Sequence, residues 1–153
     1  MGARSVYCKA TRHLAKADPR LASVIRQVGP HRISPRRGRY AALCRSIVGQ
    51  QLSTKAAATI FERFKRGCGG WVTPDRVARL TDDELRAVGF SRSKIASVRD
   101  LSRAIKEREL RLETLGRLDD LAIAQKLLPI RGIGPWSVDM FLIFVLARPN
   151  VLP

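Results

Sequence analysis

The stretch LPIRGIGPWSVDM, Leu128 to Met140, decides the fold: a Gly-x-Gly turn opens directly into an apolar helix inside a very basic chain. Gly132 and Gly134 can adopt positive φ and let another backbone come close. Pro135 suits a first helical turn, where its missing N–H leaves no donor unsatisfied. The free N–H groups at such a helix start face an anion, which the helix dipole also favours. An earlier helix over Asp119 to Leu127 makes the unit two helices joined by a hairpin, spanning about residues 119–147. Gly132, Ile133 and Gly134 are therefore candidate contacts to a phosphate backbone. A lone G-x-G would be a weak signal, and its alternative is a merely structural turn; the flanking helices and the strong positive charge favour phosphate.

The 153 residues suffice for a single domain with a real core, and 45% hydrophobic content is ordinary for a globular fold. The formal charge of +16, from 29 Lys and Arg against 13 Asp and Glu, implies a polyanionic partner, nucleic acid first. A solvated basic face is the bland alternative. Cys8, Cys44 and Cys68 are widely spaced, which suggests neither a disulfide framework nor a zinc site and fits a reduced, cytoplasmic setting. No run approaches the roughly 18 apolar residues of a membrane span. A soluble monomer that is not exported is expected.

Helix punctuation runs through the chain, no stretch alternates convincingly as a strand, and the fold class is all-α. Thr11 to Ala17 reads as helix. Asp18 and Pro19 start a second, with Leu21, Val24, Ile25 and Val28 at helical spacing before Gly29-Pro30. A Pro- and Arg-rich loop follows, then an apolar helix from Tyr40 to Val48 and a turn at Gln50, Gln51 and Leu52. Ser53 caps the next helix, whose stripe is Ala56, Ala57, Ile60, Phe61 and Phe64. After the Gly67 to Gly70 break, Thr73-Pro74 and the capping box at Thr81 to Glu84 start two short helices. Ser91 opens a longer one through Ile95, Val98, Leu101 and Ile105 to about Glu109. The second hairpin helix, Trp136 to Ala147, is apolar nearly all round and is expected to be central.

Trp136 beside the hairpin and GQQLST at Gly49 to Thr54, with HLAKADPRL, SIVGQQLSTKAA and GFSRSK, make the chain resemble the helix-hairpin-helix DNA glycosylases. The alkylpurine, or 3-methyladenine II, branch is the closest. The resemblance implies the helix-hairpin-helix glycosylase fold, incomplete at the C-terminus, and hydrolysis of the N-glycosidic bond of alkylated purines in duplex DNA. It makes Trp136 a wall of the pocket for an extruded base, where an indole face favours a cationic purine. Bifunctional members carry a lysine there that forms a Schiff base, which an indole cannot do, so a monofunctional enzyme is implied. The family pattern places Gln51 at the position inserted into the DNA stack, flanked by Gln50 and Leu52. Main-chain carbonyls of Leu128, Ile130 and Ile133 would hold a monovalent cation, with no other cofactor implied. The family's catalytic aspartate falls a few residues beyond the stretch matching Arg148 to Pro153; no residue here matches it, so the chain itself is expected to be inactive. Ser137 and Val138 depart from the more usual Thr and Ala.

Each assignment has a plainer reading. Trp136 packs in the core, Gln50 and Gln51 cap the preceding helix, and Ser53 is an ordinary N-cap. The resemblance places Asp139 at the family's Asp or Asn position beside the pocket and not at the catalytic position. His13 and His31 are surface or packing histidines, and Tyr40 reaches either DNA or the core. Three rival functions remain at this level: a mismatch adenine or oxidised-pyrimidine glycosylase with a later iron–sulfur cluster, a non-catalytic DNA-binding module, and a basic RNA-associated protein.

Overall fold

A computed structural model describes residues 3–29 and 33–153, with side chains from Tyr7 onward, and these residues form helices without a strand. His31 lies outside the described residues. The helices are α1 (Ala3–Ala17), α2 (Pro19–Val28), α3 (Arg39–Gly49), α4 (Thr54–Gly67), α5 (Pro74–Arg79), α6 (Asp82–Ala87), α7 (Arg92–Lys106), α8 (Asp120–Leu127) and α9 (Pro135–Phe144), with a 3-10 helix at Leu112–Arg117.

The starts follow the caps in the sequence. The side chains of Asp18, Ser53, Thr73, Ser91 and Asp119 each accept a hydrogen bond from a first-turn N–H, a contact usually worth about 1 kcal/mol. Thr81 and Glu84 close a reciprocal capping box, Thr81 N donating to Glu84 Oε2 at 2.7 Å and Glu84 N to Thr81 Oγ1 at 3.2 Å. The ends are less faithful to the sequence. α7 stops at Lys106 because Arg108 turns left-handed at φ 62, letting Leu110 N donate back to Ala104 O at 2.9 Å. α9 stops at Phe144 by the same device, with Ala147 at φ 57 and Arg148 N bonded to Leu142 O at 2.9 Å. α1, conversely, starts eight residues earlier than Thr11, at Ala3. No helix among the described residues is long and apolar enough to cross a membrane.

Contacts divide the chain into two compact units. One takes in the described residues up to Arg37 together with Asp139–Pro153. There α1 packs on α2, Tyr7 Oη donates to Arg148 O at 3.2 Å, and Arg36 N donates to Val145 O at 2.9 Å. Its buried side chains include Ala22, Phe141, Leu142 and Val145. The α2 stripe forms its helix but leaves Leu21, Val24 and Val28 exposed, since helical spacing specifies the element and not a surface to cover it.

The second unit is Gly38–Val138, organised around α7, against which α3, α5 and α6 pack. Ile95, Val98, Leu101 and Ala104 of α7 are buried with Leu43, Ile47 and Val48 of α3. Phe64 stacks obliquely on Phe90 with centroids 4.9 Å apart. Tyr40 belongs to this core: its hydroxyl lies 2.6 Å from Ser102 Oγ, and burial raises its pKa. Cys44, wholly buried, is pushed up to about 12, and all three cysteines are free thiols.

Candidate functional site

The hairpin hangs between α8 and α9 on two buried side chains, Ile130 and Ile133, which pull the backbone of residues 131, 132 and 134 to the surface side of the turn. Ile130 N donates to Leu127 O and Ile133 N to Ile130 O at 3.1 and 3.0 Å, so the turn is hydrogen-bonded within itself. Gly132 takes φ 78, and a Cβ there would stand 2.9 Å from Ser97 Cβ and nearer still to its hydroxyl. Glycine is thus required twice over, by backbone and by contact; the left-handed geometry alone costs a side chain about 1–2 kcal/mol. Gly134 differs from the expectation: its φ is not positive. Ile133 N bonded back to Ile130 O completes the reversal at Gly132, and Gly134 supplies open space, with no atom within 4 Å of where a Cβ would stand.

The N–H groups of Gly132, Gly134 and Trp136 find no acceptor among the described residues, whereas Val138 N already reaches Gly134 O at 3.1 Å. Unsatisfied donors at the positive end of a helix form an anion cradle. Trp136 stands in the first turn of α9 and is 60% exposed, which removes the core-packing reading in this chain. Asp139 follows one helical turn later and is half-buried.

The turn at Gln50, Gln51 and Leu52 lies against the hairpin: Gln50 Nε2 donates to Gly132 O at 2.7 Å. Gln50 stands at the C-cap position of α3, but its side chain does not bond the open carbonyls there. That role falls to Lys94, whose Nζ donates to Val48 O at 2.7 Å and whose pKa is lowered by burial. Gln51 is held left-handed at φ 57 and is exposed, as is Leu52, whose N–H returns to Gly49 O at 3.2 Å. Ser53 Oγ accepts from Ala56 N at 3.3 Å, the ordinary N-cap. His13 is exposed on α1.

Three α7 residues at the hairpin escaped the sequence reading: Ser97, Asp100 and Arg103. Asp100 Oδ2 accepts from Arg131 N at 2.8 Å, and its Oδ1 from Arg103 Nη2 at 3.0 Å. The backbone donor first, and then Arg103, hold this carboxyl below the usual range against the opposing effect of burial. Lys94, Ser97 and Asp100 recur every three residues, a spacing that would have flagged a polar face on an otherwise core helix.

Residues 44–153 match the model of the HhH-GPD superfamily of base excision DNA repair proteins. The chain belongs to that superfamily. Among HhH-GPD relatives, it is 36% identical over 151 residues to DNA-3-methyladenine glycosylase 1 of Schizosaccharomyces pombe, covering 95% of this chain and 66% of the relative. A crystal structure of a DNA-3-methyladenine glycosidase from Bacillus halodurans superposes with TM-score 0.78 at 33% identity, over 92% of this chain and 65% of that one. The S. pombe 3-methyladenine DNA glycosylase in complex with abasic DNA gives TM-score 0.81 at 35% identity, over 94% and 73%. The HhH-GPD chain thus spans about 66% of the yeast relative's length, and it shares the helix-hairpin-helix glycosylase fold.

Proposed function

We propose that this chain carries the DNA grip and base pocket of a monofunctional alkylpurine glycosylase, which releases 3-methyladenine-type bases from duplex DNA and leaves an abasic site. The observation that carries the reading is the exposed indole of Trp136 set directly behind a cradle of unsatisfied hairpin N–H groups. The cradle suits one phosphate of the strand, the indole face suits a cationic base swung out of the stack, and Gln51 with Leu52 suit the gap that base leaves. In the reaction the bond from the sugar C1′ to the purine nitrogen breaks, and its electron pair neutralises the alkylated ring. Water then adds to C1′ and loses a proton. A base that leaves neutral needs no strong acid, so the demand falls on stabilising the sugar cation. No carboxylate of this chain is assigned that role. The indole nitrogen cannot form a Schiff base, so the strand stays uncut.

A monovalent cation fits the carbonyls of Leu128, Ile130 and Ile133. Residues 128–134 offer no carboxylate, so the donors are neutral oxygens that suit a singly charged ion. The Ile130 carbonyl, already accepting from Ile133 N, keeps a second lone pair. Such an ion would stiffen the turn.

The pocket is tested on the indole itself. In a Trp71→Phe background, which removes the other exposed tryptophan, 7-methylguanosine should quench Trp136 emission well below the concentration at which guanosine does. Equal quenching by the two nucleosides would remove the cation-selective pocket.

A further inference from the structure

We propose that Asp100 is a positioning residue for the hairpin, its carboxylate holding the Arg131 amide so that the neighbouring Gly132, Gly134 and Trp136 N–H groups stay aimed at a DNA phosphate. The inference rests on the DNA-binding reading above.

α7 meets the interface at three points on one face. Lys94 Nζ ties the end of α3 just before the Gln50 turn. Ser97 fills the notch over Gly132, its hydroxyl donating back to Ser93 O at 2.9 Å. Asp100 then takes the Arg131 amide with one oxygen and Arg103 with the other. Arg103 is itself braced by Glu107 and Glu109, through contacts of 2.6 and 3.0 Å, so the carboxylate has little freedom to turn. With Gln50 bonded to Gly132 O, both DNA-facing turns are fixed to each other and to one helix.

The placement is costly in electrostatic terms, which makes it informative. A carboxylate one residue from a phosphate cradle repels the ligand, and its pKa, held below the usual carboxylate range, keeps it charged near neutrality. If Asp100 were a bystander, neutralising it would tighten DNA binding. A positioning residue gives the opposite sign.

The experiment measures fluorescence anisotropy of a short fluorescein-labelled duplex at several salt concentrations, for the wild type, Asp100→Ala, Asp100→Asn and the charge control Glu62→Gln. Asp100→Ala is expected to bind roughly tenfold more weakly, with a salt slope shallower by about one phosphate contact. Asp100→Asn, whose amide oxygen still accepts an N–H, should fall between, and Glu62→Gln should equal or exceed the wild type. Hydrogen exchange reads the cause directly: in Asp100→Ala the Arg131 amide should exchange faster while the Leu101 amide does not. Wild-type or tighter binding by Asp100→Ala overturns the inference and leaves the DNA reading standing. A wild type without salt-dependent duplex binding overturns both. Should Asp100→Ala fail to fold, Asp100→Asn decides, and unchanged affinity with unchanged Arg131 exchange would overturn the proposal.

Discussion

Gln51 carries a side chain in a backbone conformation that suits glycine, at φ 57, in the turn that Gln50 ties to the hairpin. Arg108 and Ala147 adopt the same conformation to end helices, whereas Gln51 lies in the turn proposed to meet DNA, where such strain serves the side chain. Gln51→Gly should keep or raise the melting temperature, because relief of a left-handed residue is worth about 1 kcal/mol before glycine's own entropy is counted. The same variant should bind damaged duplex more weakly, since nothing then fills the space of an extruded base. A lower melting temperature with unchanged DNA affinity would show that Gln51 serves the turn alone. The turn at Gly132 and the first-turn place of Trp136 were legible in the sequence because a turn glycine and a proline at a helix start mark those positions. Asp100 was not, since its role depends on Arg131, thirty-one residues away, and no local pattern encodes that meeting.

Among the elements, the capped helix starts were readable, as were the ends of α2, α4 and α8, whereas the start of α1 and the ends of α7 and α9 were not. Starts are marked by side chains that satisfy N–H groups, so Ser53, Thr81, Ser91 and Asp119 announced themselves. The ends of α7 and α9 instead use Arg108 and Ala147 in left-handed geometry, where glycine is the usual signal. The 3-10 helix at Leu112–Arg117 carried no start signal, and its first residue is preceded by Arg111 without a side-chain cap. The join between α7 and the hairpin also has a pH signature. Asp100 has a folded pKa below its unfolded one, so its stabilisation is complete above the ordinary carboxylate range and is lost as pH falls through the lower folded value. Arg103, Arg131 and Arg99 line the cleft around it. Stability followed by circular dichroism in acid should therefore fall more steeply for the wild type than for Asp100→Asn. Parallel curves would mean that the carboxylate contributes nothing to the fold.

For the molecule as a whole, a charge of +16 predicts that the proposed binding of duplex DNA is driven by counterion release. Raising the salt from low to physiological strength should weaken binding steeply and with little dependence on sequence; affinity that stays flat with salt would rule out phosphate contacts as its source. The sequence made the basic balance and the all-helical class plain. It did not foretell the division into two units, Gly38–Val138 and the remaining described residues, because that depends on contacts distant in the chain. The most direct test of the proposed function is base release from methylated duplex DNA by a protein extended to the relatives' length. Free 3-methyladenine with the backbone intact until alkali is added, and its loss in Trp136→Ala at an unchanged melting temperature, are the expected results. No released base, or strand cleavage with a borohydride-trapped covalent complex, would contradict a monofunctional alkylpurine glycosylase.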